Sequence, residues 1–142
     1  MSESLKRKIE KISRLLERLV AESAKGTPII VEGQNDVDAL RELDVKGEVI
    51  AVKNLGMVFP DVVSQVESRG KREVILLMDF DRYGKEWTKR LAESLERSRI
   101  KPNLTFWKNL QGLVRRDVKD VEGLASYIET LKKKCGEQSS KV

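Results

Sequence analysis

The chain has 142 residues, 39% of them hydrophobic and 36% charged, with a formal net charge of +5 at pH 7. That composition suits one soluble domain with its own core, and the positive balance is compatible with a polyanionic partner. Histidine is absent and there is one cysteine, Cys135, which excludes histidine-based triads, an internal disulfide and a conventional zinc site, and fits a reducing cytoplasm.

No stretch is apolar for long enough to span a bilayer, and no signal-peptide pattern opens the chain, so no membrane partner is expected. Residues 2–24 carry Leu5, Ile9, Ile12, Leu16 and Leu19 at alternating spacings of four and three, with Leu15 and Val20 widening the stripe. That is an amphipathic helix, which either packs on its own domain or forms a short coiled-coil seam in a dimer. Its Lys6, Arg7, Lys8, Lys11, Arg14 and Arg18 are read as a solvated face. Lys25-Gly26-Thr27-Pro28 breaks the helix. Ile29-Ile30-Val31 is a short strand ending at Glu32-Gly33, followed by a helix from Gln34 to Leu43. A second strand is expected over 48–53, closed by a turn at Asn54-Leu55-Gly56. Phe59, Val62, Val63 and Val66 mark the next helix, with Pro60 in its first turn and Gly70 at its end.

The run from Val74 to Met78 is an unbroken apolar segment that stops at Asp79-Phe80-Asp81. Its length and the bracketing Gly70 and Gly84 favour a strand buried on both faces. In an extended chain Asp79 and Asp81 project together, and two carboxylates so placed invite a divalent cation with a preference for oxygen, such as Mg²⁺. The blander reading makes Asp81 the N-cap of the next helix and Asp79 an ordinary surface acid. That helix runs from Tyr83 to Arg99, with Trp87 in the core. A fourth strand is expected over 103–107 and a last helix over 121–133. The domain division is therefore an N-terminal helix over 1–25, an α/β domain over 26–133 and a flexible tail over 134–142.

Strands alternating with helices predict a doubly wound, mainly parallel sheet between two helical layers, with ligands beyond the carboxyl ends of the strands where strand order reverses. If the first and third strands are neighbours, Glu32, Asp79 and Asp81 share one crevice. Gly33 allows a phosphate close to the backbone there.

The segments IIVEGQNDVDAL and VILLMDFDRYGKEW, in that order and on strand ends, resemble the Toprim domain shared by topoisomerases, bacterial-type primases, overcoming-lysogenization-defect nucleases and the ribonuclease that matures 5S ribosomal RNA. The likeness runs from about Thr27 to Leu124 and is greatest to the small stand-alone Toprim proteins of archaea and bacteria. It implies a Rossmann-like three-layer α/β/α fold with a four-stranded sheet, preceded here by the N-terminal helix. It implies Asp79 and Asp81 as Mg²⁺ ligands, with Mn²⁺ able to substitute, and Glu32 as general acid/base or a further metal-side acid. Asp36 matches an acid of the primase and maturase branches and would support the site from behind. Val118 to Gly123 resembles the Lys-Asp region closing the domain. Gln34 stands where many maturase-like relatives carry a basic residue.

Type IA topoisomerase chemistry would need a tyrosine on further domains, and Tyr83 and Tyr127 lie in helices. A bacterial primase would need a zinc module, which the Cys and His content excludes. Lys53, Arg82, Lys85 and Lys108 are candidate phosphate contacts, with Arg115 and Arg116 as further ones. Trp107 is either a base-stacking residue or core. Two functions follow: a Mg²⁺-dependent enzyme cleaving RNA or DNA, or a non-catalytic nucleic-acid- or nucleotide-binding module within a replication, repair or RNA-processing complex.

Overall fold

The computed structural model describes residues 3–53 and 58–139. In chain order the elements are α1 (Glu3–Ala24), β1 (Ile29–Val31), α2 (Gln34–Glu42), β2 (Val49–Ala51), α3 (Phe59–Ser68), β3 (Glu73–Leu76), α4 (Arg82–Arg97), β4 (Lys101–Asn103), α5 (Thr105–Val114) and α6 (Val121–Ser139). The strands form one parallel sheet in the order β2-β1-β3-β4, with Ile30 opposite Ile50 on one side and Leu76 on the other.

Alternation along the strands divides the core into two layers. Ile29, Val31, Ala51, Ile75 and Leu77 face α1, α2, α5 and α6. Ile30, Ile50, Val52, Val74, Leu76 and Met78 face α3 and α4. The result is the expected three-layer α/β/α arrangement around a four-stranded parallel sheet.

Ile12, Leu15, Leu16 and Leu19 of α1 are buried among residues of α5, α6 and the sheet. The stripe that could have formed a coiled-coil seam is thus used inside the domain. Among the described residues no helix is long and apolar enough to cross a membrane.

Two boundaries differ from expectation. The fourth strand is Lys101–Asn103, and the segment assigned to a strand over 103–107 instead opens helix α5. Asn103 Oδ1 accepts the Thr105 N–H at 3.0 Å and turns the chain. Phe106, Trp107, Leu110 and Val114 then recur at helical spacing and are buried. Pro102 is tolerated because β4 is an edge strand. The last helix runs beyond Lys133 to Ser139. The turn expected at Asn54-Leu55-Gly56 lies outside the described residues.

Candidate functional site

β1 connects to β2 on one side and its other neighbour is β3, so strand order reverses between β1 and β3. Beyond their carboxyl ends lies a crevice of about 370 Å³ lined by Glu32, Gly33, Asn35, Lys53, Asp79 and Asp120, among others. Glu32 follows β1 directly and is 8% exposed. Its Oε2 accepts the backbone N–H of Asp79 at 2.9 Å, which clamps the ends of the two strands together.

Asp79 is half-buried in this crevice. Burial, then the hydrogen bond it shares with Glu32 and that residue's negative charge, with Asp36 and Asp120 beyond, push its carboxyl up to about 8. Burial and gathered like charges each disfavour the charged form of a carboxyl.

Asp36, on the first turn of α2, is buried. Its Oδ2 accepts the Gly33 N–H at 3.1 Å and its Oδ1 accepts the Glu122 N–H at 2.9 Å, joining the starts of α2 and α6. Burial raises its pKa and the two backbone bonds oppose the rise. Asp120 accepts the Gly123 N–H at 2.8 Å and caps α6. The Lys119 carbonyl accepts the Phe80 N–H at 2.6 Å, so the loop before α6 is laced to the end of β3.

Asp81 does not join Glu32 and Asp79 in the lining of this crevice. It is the N-cap of α4, and its Oδ1 accepts the Gly84 N–H at 2.8 Å. The expectation that Asp79 and Asp81 project together assumed an extended chain, but the regular strand ends at Leu76. Leu77 faces one layer, Met78 the other and Phe80 the first again, so the two-residue period has broken before the second acid.

Gly84 permits this tight turn. It is buried, and a Cβ there would overlap the Asp79 carbonyl group. Trp107 is part of the core. Its indole N–H donates to the Met78 carbonyl at 2.9 Å and to that of Asp79 at 3.2 Å, steadying the acidic turn from α5.

Of the expected phosphate contacts, Lys53 and Gly33 line the crevice. Arg82 and Lys85 are exposed on the first turn of α4, outside its lining. Lys108 lies on α5 in a different depression, because the strand expected before it is helical. Arg115 and Arg116 follow α5 and are exposed. The sequence reading missed Asn35, Asp120 and Glu122 as lining residues. Asn35 lies in the segment IIVEGQNDVDAL and Asp120 and Glu122 in Val118 to Gly123, both quoted for the resemblance, but no periodicity marked their place beside Glu32.

Among the described residues no three acidic or thiol groups already stand as a cage for a metal ion. The donor set still fits Mg²⁺, which keeps several waters and is held by one or two carboxylates together with substrate phosphates. Glu32 and Asp79 offer such a pair of hard oxygen donors, and burial together with the acidic neighbours raises the Asp79 carboxyl there.

A parallel α/β/α domain with a crevice at its topological switch point belongs to the doubly wound folds, which take their ligands beyond the carboxyl ends of the strands. The Toprim domain model matches residues 27–106. The chain belongs to the Toprim domain family, as the Glu-Gly and DxD motifs led us to expect. Domains of this family generally bind a divalent metal and have functions connected with nucleic acids.

The chain is 32% identical over 135 residues to a UPF0292 protein of Methanosarcina acetivorans, covering 94% of this chain and 91% of that one. It is 38% identical over 122 residues to a UPF0292 protein of Thermococcus kodakarensis, covering 86% and 84%. A solved structure from Aquifex aeolicus superposes with a TM-score of 0.66 at 26% identity, covering 78% of this chain and 94% of its own.

Proposed function

We propose that the protein is a Mg²⁺-dependent nuclease acting on RNA or DNA, with Mn²⁺ able to replace Mg²⁺. The observation that carries this reading is the meeting of Glu32 and Asp79 at the β1/β3 switch point, with Asp79 raised to about 8 by burial and its acidic neighbours. A module made only to bind phosphates would gain nothing from acids facing them.

Asp79 and Glu32 would hold the ion, while Asp81, which caps α4 through Oδ1, stands outside the crevice lining. When bound, the metal supplies charge neutralisation and polarisation of the phosphodiester. Glu32 accepts the proton of the attacking water as the new phosphorus–oxygen bond forms, and the departing oxygen takes a proton from solvent. Gly33 leaves room for a phosphate at the start of α2, and Lys53 contributes positive charge at the crevice wall. Asp36 and Asp120 keep the starts of α2 and α6 in place around the acids.

The test is cleavage of labelled single- and double-stranded RNA and DNA with Mg²⁺ or Mn²⁺, comparing wild type with Asp79→Asn and Glu32→Gln. We expect metal-dependent cleavage that falls by at least about a hundredfold in each variant. Absence of cleavage, with salt-sensitive binding that survives both substitutions, would replace this reading by the binding module.

A further inference from the structure

Outside the crevice the structure has a second charged feature, an open depression of about 410 Å³ between α1 and α5. Its lining includes Lys11, Arg14 and Arg18 from α1 and Lys108 from α5, with no acidic residue. On α1 the cations Arg7, Lys11, Arg14 and Arg18 are spaced four, three and four apart, so they form a single row along the helix. Leu15 separates that row from the buried stripe and contributes to the floor.

Glu10 and Glu17 share the helix, yet no ion pair within 4.0 Å joins Lys11, Arg14, Arg18 or Lys108 to an acid among the described residues. Among the described residues Lys8, Lys25, Arg69 and Arg90 stand in ion pairs, all of them outside the depression. Arg18 lies 5.9 Å from the centre of the Phe106 ring, which orders the guanidinium without neutralising it.

Gly112 gives an independent indication. It lies inside α5, is exposed, and lines the depression. Nothing stands within 4 Å of where its Cβ would be, so no packing contact within the fold calls for glycine there. Glycine within a helix is unfavourable, and its absent side chain opens the floor to close approach by a ligand's backbone. Trp107, one residue before Lys108, is bonded to the Asp79 carbonyl, so one helix walls the depression and steadies the acidic turn.

We propose that the α1–α5 depression is a track for the phosphate backbone of a nucleic acid whose reacting phosphodiester lies in the Glu32–Asp79 crevice. This rests on the nuclease reading for what happens in the crevice. The grip itself needs neither metal nor cleavage. The N-terminal helix thereby supplies the substrate hold that the minimal domain lacks.

The test is fluorescence anisotropy in EDTA with a short fluorescein-labelled oligonucleotide, as single-stranded RNA and as duplex DNA, titrated at salt from about 50 to about 200 mM. A triple variant Lys11→Gln/Arg14→Gln/Lys108→Gln is compared with Lys46→Gln/Lys89→Gln/Lys133→Gln, which removes equal charge from exposed positions elsewhere. At about 0.7–0.9 per phosphate contact, losing three contacts should flatten the log–log salt dependence by about two to three and weaken binding at least about tenfold near 100 mM salt. The control triple should keep most of the wild-type slope, and both triples the wild-type urea midpoint. Equal losses in the two triples, an unchanged slope in the first, or no wild-type binding to either oligonucleotide would overturn the proposal. Because cleavage plays no part, an inactive but gripping protein would refute the nuclease reading alone.

Discussion

Asp79→Asn should stabilise the metal-free protein at alkaline pH. The Asp79 carboxyl stands at about 8 in the fold against an ordinary 3.8. At about 1.36 kcal/mol per pH unit the whole displacement is about 6 kcal/mol, and solvent screening of a half-buried group reduces this to ~2–3 kcal/mol. The sign follows from proton counting. Between about pH 4 and pH 8 the unfolded chain has released this proton while the folded protein keeps it, so stability falls as pH rises through that window and levels off above it. An amide at position 79 carries no such proton, and it can still donate to Glu32.

Urea unfolding in EDTA, followed by the fluorescence of Trp87 and Trp107, is the assay. Wild type and variant should have similar midpoints near pH 4, and the variant should be more stable by ~2 kcal/mol above pH 8. Adding Mg²⁺ should reverse the order, because a ligand that binds only the folded wild type stabilises it by mass action. A pH-independent difference between the two proteins, or a variant less stable at pH 9 without metal, would refute the account of uncompensated charge.

Three further substitutions probe what holds the acids in place. Gly84→Ala puts a Cβ into the Asp79 carbonyl group and should cost about 1–3 kcal/mol in urea unfolding, with loss of Mg²⁺-dependent stabilisation. Trp107→Phe keeps the ring in the core but removes the N–H that serves the Met78 and Asp79 carbonyls. It should cost about 1–3 kcal/mol, and unchanged stability would show that solvent replaces the bond. Asp36→Ala strips the Gly33 and Glu122 N–H groups of their acceptor and should destabilise by about 1–3 kcal/mol at pH 7, measured the same way.

Much of this was legible in the residue order. Apolar runs at 29–31 and 74–78 mark strands covered on both faces, and helices between them favour a parallel sheet, but that β1 and β3 are neighbours at its switch point is settled only by the strand order. The alternation that sorts Ile75 and Leu77 from Val74 and Leu76 is visible in the sequence. Where it ceases is not, because that depends on the Asp81 cap and the close approach of Gly84 to Asp79. Hence Asp79 could be placed and Asp81 could not. The strand expected over 103–107 failed similarly, since a short apolar pair after Pro102 fits either period until Leu110 and Val114 are included. Asp120 and Glu122 reach the crevice through α6, nearly ninety residues from Glu32, and only tertiary packing brings them there.

The acids around the crevice differ in what already binds them, and that sets which is free to react. Glu32 gives Oε2 to the Asp79 N–H, Asp36 gives both oxygens to backbone N–H groups, and Asp81 and Asp120 each give one to a helix start. Those bonds join separate strands and helices around the crevice. Asp79 accepts no backbone N–H of this kind among the described residues, and its carboxyl is the one driven up to about 8. The fold therefore uses Glu32, Asp36, Asp81 and Asp120 partly as structure and leaves Asp79 half-buried beside negative neighbours, sharing a hydrogen bond with Glu32. A divalent cation bound beside it would offset both the burial and the crowding of like charge. The architecture that makes Asp79 costly in the metal-free protein is the same one that would make the crevice select for a metal.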